Sequence, residues 1–121
     1  MATDRKALIR EYKDTPRVMG VGIVRNSASG KSLVVASQNL PALLNRHQAQ
    51  LRLGVHANRA LQQDWNEGPD RFQFEILDTL SPADKPDYDP TDDLRVLEAL
   101  WMEKLQPFDP AGYHPRPQPA G

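Results

Sequence analysis

Residues Asn39 to Leu77, NLPALLNRHQAQLRLGVHANRALQQDWNEGPDRFQFEIL, decide how this chain folds. On a helical wheel Leu40, Leu43, Leu44, His47 and Leu51 share one face, at about 100° per residue. Ser37 or Asn39 can cap that helix, and Pro41 is tolerated in its first turn. Gly54 supplies its stop. A second helix is expected over residues 57–66, with Ala57, Leu61 and Trp65 inward. Glu67-Gly68-Pro69-Asp70 is turn chemistry. Phe72, Phe74 and Ile76 then alternate with Gln73 and Glu75, the period of a half-buried strand.

Working outward, Val18 to Val24 and Leu33 to Ala36 are β-rich apolar runs. The polar segment Asn26-Ser27-Ala28-Ser29-Gly30 joins them as a hairpin. Gly30-Lys31-Ser32 imitates the end of a phosphate loop, but the first glycine that loop requires falls at Arg25, so a turn is the reading. Upstream, residues 3–13 suit a short amphipathic helix with Ala7, Leu8 and Tyr12 as its stripe. Asp14-Thr15-Pro16 ends it. Downstream, residues 81–90 form a proline-punctuated loop. Thr91 or Asp92 caps a last helix that runs to about Leu105. After Pro107 the proline-rich composition predicts an extended or disordered tail.

The element order is therefore α-β-β-α-α-β-α, an α+β domain with a small three-stranded antiparallel sheet flanked by helices. Three strands leave two edges that helices or a partner must cover. The domain divides as an N-terminal helical extension (1–16), the main domain (17–106) and a C-terminal tail (107–121).

Composition narrows the class. The chain has 121 residues, 39% of them hydrophobic and 26% charged, which suits one soluble domain with one modest core. No apolar run is long enough to span a membrane, and the charged N-terminus lacks a signal peptide's apolar region, so a cytoplasmic location is expected. The absence of cysteine excludes disulfides and thiolate zinc sites. Net charge is −1, but residues 1–59 hold ten Lys/Arg against three Asp/Glu, and residues 60–121 hold five against thirteen. A basic half can meet an anionic partner such as DNA or RNA, or the halves can neutralise each other in the fold.

Three pieces of the central stretch, Asn39-Leu40 to Asn45-Arg46-His47, LGVHANRALQQDWN and FQFEIL, resemble the GIY-YIG nuclease family in its small bacterial single-domain branch. The resemblance covers roughly residues 17 to 114. It implies a fold built for metal-dependent phosphodiester hydrolysis. Family members carry a tyrosine on each hairpin strand, an arginine on the next helix and a metal-holding glutamate on a later one. Carried over by position, Gly22 and Leu33 stand where the tyrosines should be, and Leu43 replaces the arginine. Asn45 and His47 remain, Glu98 falls at the metal position, and Tyr113-His114 stands where the family has Tyr-Asn.

Glu98 is also anomalous on physical grounds. With Leu94 at zero on the wheel, Trp101 and Leu105 lie within about 20° and Glu98 at about 40°, on the same apolar arc. A carboxylate there must be paired, protonated, at a rim or bound to a metal. The resemblance with these losses implies a catalytically degenerate domain kept for nucleic-acid or protein binding, with no cofactor. Lys31, Arg46, Arg52 and Arg59 are its candidate nucleic-acid contacts. The alternatives are an atypical active endonuclease using Glu98 with Mg2+ or Mn2+ and His47 or Tyr12 as substitute base, and a structural module that self-associates through a sheet edge.

Overall fold

The computed structural model describes residues 18–81 and 87–116. The expected helix over residues 3–13 lies outside them, as does Tyr12. Three strands, β1 (Met19–Asn26), β2 (Ser32–Ser37) and β3 (Phe72–Leu80), form one antiparallel sheet in the order β2-β1-β3. Helix α1 (Leu40–Leu53) follows the hairpin, α2 (Arg59–Glu67) precedes a 3-10 turn at Pro69–Arg71, and α3 (Thr91–Leu105) comes last. No helix among the described residues is long and apolar enough to cross a membrane.

Local chemistry accounts for the joints. The hairpin closes as Asn26 N–H donates to the Lys31 carbonyl and the Asn26 side-chain oxygen accepts from Ala28 N–H at 3.0 Å. Asn39 caps α1 through Ala42 N–H, and Gly54 ends it in the left-handed conformation, its N–H returned to the carbonyls of Gln50 and Leu51. Helix α2 starts later than expected. Asn58 is its cap, accepting from Leu61 N–H at 3.1 Å, so Ala57 lies before the helix and is exposed. Thr91 is the first residue of α3 rather than its cap. Asp89 accepts from both the Thr91 N–H and hydroxyl, tying the chain down just ahead of the helix.

The sheet buries both faces. On one, Val24, Leu33 and Val35 pack with Leu40, Leu44, Leu51, Leu61, Trp65 and Tyr113. By the alternation of strand side chains, Val21, Ile23 and Val34 point the other way, where α3 packs on β1 and β2. A bulge sets Val21 opposite Asp78 but Gly22 opposite Ile76, so Leu77 is the extra residue. The shift turns Asp78 to the α3 side, where its carboxylate accepts from Trp101 Nε1–H at 3.1 Å. Phe72 and Phe74 point inward as expected, with ring centroids 5.5 and 6.2 Å from Trp65. Ile76, expected inward, has no such cover and is exposed.

The segment after Pro107 is not an extended tail. Residues 107–114 form a hook closed by Asp109 N–H on the His114 carbonyl and His114 N–H on the Pro107 carbonyl. Gly112 permits the closure, because a Cβ there would sit 2.2 Å from the Pro107 oxygen. The hook lies along the outer edge of β2. Tyr113 N–H donates to the Ser32 carbonyl at 3.0 Å, and Val34 N–H donates to His114 Nε2 at 2.9 Å. That covers part of one edge an open sheet would leave bare.

Candidate functional site

Two shallow concavities meet at the Ser37 end of β2 and share Ala36 and Ser37. On the α3 side Glu98 lines one, with Leu94, Thr91 and Arg95. On the α1 side Leu43 and Arg46 line the other. Glu98 is half-buried, as its place on the apolar arc requires, and sits at the rim of the sheet. Among the described residues it forms no ion pair; Arg95 pairs with Asp92 at 3.7 Å instead.

The described residues offer a divalent cation few protein ligands. A hard ion takes oxygen ligands, often one or two carboxylates with water completing the shell. Among the described residues Glu98 is the sole carboxylate lining either concavity, and the Arg95 guanidinium lines the same one. Among the described residues no group of three or more His, Asp or Glu could hold a metal.

The two strand positions that the resemblance assigns to tyrosines are closed. Gly22 faces α1: a Cβ there would meet Leu40 Cδ1 at 3.0 Å, the Glu75 carbonyl at 3.1 Å and Leu44 Cδ2 at 3.4 Å. Leu33 is a member of the core. Leu43 reaches the concavity, but its aliphatic side chain can neither donate a hydrogen bond nor neutralise charge.

His47 is engaged away from Glu98. Its Nδ1 lies 2.7 Å from Nε2 of His56. Asn58 N–H donates to His56 Nδ1 at 3.0 Å, so His56 carries its proton on Nε2 and donates it to His47, whose proton is then on its own Nε2. Burial holds both imidazoles below their ordinary range; for His47 the neighbouring His56 and Arg46 add to it. The pair is a neutral hydrogen-bonded unit joining α1 to the start of α2. Sequence spacing hid it, because the chain must reverse at Gly54 before His56 returns to the helix.

A second polar cluster also escaped the sequence reading. The Tyr113 hydroxyl accepts from Asn26 Nδ2 at 3.2 Å and donates to Asp64 at 2.8 Å. Burial, with Asp64 beside it, pushes the phenol up to about 12, so it stays protonated. Asn58 Nδ2 donates to the Tyr113 carbonyl at 2.8 Å. Hairpin, α2 and hook are thus fastened at one point.

The four candidate cations lie in three places. Ala42, Asn45, Arg46, Ala49, Arg52 and Leu53 form the exposed face of α1, and no residue between Asp14 and Asp64 is acidic. Arg59 is exposed in the first turn of α2. Lys31 lies elsewhere, at the hairpin, 5.9 Å from the Tyr113 ring centroid. Of the two ion pairs among the described residues, Arg25–Glu75 at 3.6 Å joins the basic and acidic halves, and Arg95–Asp92 lies within the acidic half. Among the described residues direct pairing therefore leaves Arg46 and Arg52 unneutralised.

No protein-family model and no curated protein sequence matches the chain. Among solved structures it is similar to the catalytic domain of the homing endonuclease I-TevI, at 21% identity and a TM-score of 0.66, over 82% of this chain and 99% of that one. A point mutant of the same domain matches at 21% identity and a TM-score of 0.65, over 80% of this chain and 92% of that one. The likeness is one of fold: a GIY-YIG-like three-stranded sheet with helices on both faces.

Proposed function

We propose that this is a GIY-YIG-like domain that has lost phosphodiester hydrolysis and binds nucleic acid through the exposed face of α1. The observation that carries the first half is the packing at Gly22. Leu40 and Leu44 occupy the space a strand side chain would need, and Leu33 is committed to the core beside them. Hydrolysis requires charge neutralisation at the phosphorus oxygens and a placed base. Here Leu43 replaces a cation with a hydrocarbon, Glu98 shares its concavity with Arg95, and His47 is bonded to His56.

The second half rests on the α1 ridge. Arg46 and Arg52 are six residues apart, about 9 Å of helix rise and about 120° around the axis, with the small exposed Ala49 between them where a phosphate backbone can approach. Such contacts neutralise phosphates and release counterions, so binding is steeply salt-dependent and weakly sequence-dependent.

The test combines cleavage and binding. Single- and double-stranded DNA and RNA are incubated with Mg2+ or Mn2+ and the protein or its Glu98→Ala variant, and binding is measured at two salt concentrations. The expected result is no cleavage, with binding that weakens as salt rises and falls further in Arg46→Glu/Arg52→Glu. Metal-dependent cleavage abolished by Glu98→Ala would overturn the loss of hydrolysis. Binding absent at low salt would overturn the nucleic-acid role and shift the weight to a protein partner.

A further inference from the structure

We propose that His114 is a pH-sensitive latch on the outer edge of β2: neutral, its ring holds the 107–114 hook against the strand; protonated, it lets the edge go. The hook meets β2 through two bonds of different kinds. Tyr113 N–H to the Ser32 carbonyl is an ordinary strand-like bond that no pH change in the neutral range affects. The second asks the imidazole to imitate a neighbouring strand's carbonyl, since Nε2 accepts the Val34 N–H. Only a neutral ring with its proton on Nδ1 has that lone pair. An imidazolium would set a second donor against the Val34 N–H and place its charge in a half-buried site.

The surroundings supply little to hold such a charge. In the hook, Arg116 Nε donates to the Asp109 carbonyl, and both side chains are exposed. Lys31, from the hairpin, lies over the Tyr113 ring, and Asp64, from α2, accepts the Tyr113 hydroxyl. Glu98, from α3, lines the far end of β2 at Ala36 and Ser37. No described carboxylate forms an ion pair with His114. Burial accordingly holds the ring below its ordinary range. Val34 and Val35 provide an internal comparison. Val34 N–H points out to the latch, whereas Val35, next along the strand, turns its N–H inward to the β1 ladder.

The experiment is amide hydrogen exchange by NMR, corrected to protection factors, for the whole protein between about pH 7.5 and about pH 5.5. Val34 protection is expected to fall by about tenfold or more across that range while Val35 protection holds. In His114→Gln, whose side-chain carbonyl accepts but does not titrate, the profile at Val34 is expected to be flat. Imidazole nitrogen shifts of the unsubstituted protein, which need no variant to fold, are expected to show the Nδ1–H form at the high end of the range. Constant Val34 protection in the unsubstituted protein, equal loss at Val34 and Val35, or the same profile in His114→Gln would each overturn the latch.

Discussion

The seat at Gly22 makes a quantitative prediction through a double-mutant cycle with Leu40. Gly22→Ala adds a methyl 3.0 Å from Leu40 Cδ1 and 3.1 Å from the Glu75 carbonyl oxygen. The first contact can give, because it is the end of a side chain; the second is backbone of the paired strand. Overpacking of this kind costs about 1–3 kcal/mol, partly offset by the reduced freedom of the unfolded chain, so about 1 kcal/mol net is expected. Leu40 is fully buried, and Leu40→Ala is expected to cost about 3–4 kcal/mol. In the double variant the crowding Cδ1 is gone and the new methyl fills part of the cavity. The combined cost should fall short of the sum by about 1 kcal/mol, the residual clash with Glu75 setting the limit. Urea unfolding followed by tryptophan fluorescence measures all four corners. Additivity within about 0.3 kcal/mol, or a Gly22→Ala variant stabilised by about 0.4–1 kcal/mol as at an unstrained site, would refute the packing that underlies the proposed loss of hydrolysis.

Two further outcomes are expected. The three histidines, His47, His56 and His114, are each held neutral in the fold below the pH at which they ionise in the unfolded chain. The unfolded chain therefore takes up more protons on acidification, and stability that is complete above about pH 7 should decline through about pH 6 and below, read as a falling urea midpoint at constant slope. Tyr113→Phe removes the only oxygen among the described residues that Asn26 Nδ2 bonds, inside a residue 4% exposed, and should cost about 1–3 kcal/mol in the same assay; an unchanged midpoint would mean water reaches that amide.

How much of this was legible in the sequence depends on how far apart the partners lie. Apolar spacing within α1, the stop at Gly54, the hairpin turn and the Phe72–Phe74 alternation are local, and each was readable from a few neighbouring residues. Glu98 could be singled out because a carboxylate on an apolar arc contradicts its surroundings. The bulge at Leu77 was not legible, since the extra residue shows only once β3 is laid against β1, and with it went the turn of Asp78 toward Trp101. The hook was misread because proline-rich composition speaks of what a segment cannot do by itself. Its order comes from Ser32, Val34, Asn58 and Asp64, all more than forty residues upstream. The His47–His56 pair failed for the same reason on a smaller scale.

The position of Tyr113 has a consequence for synthesis. A core residue that bonds Asn26 across 87 residues of chain leaves the ribosome long after the hairpin it completes. Until it does, the hairpin and α2 can meet, but Asn26, Asp64 and the outer edge of β2 lack the groups that satisfy them. Completion of this core is therefore expected to wait for the 107–114 hook to emerge rather than proceed with elongation, and the nascent chain carries an uncovered strand edge for that interval, when neighbouring chains or chaperones can reach it.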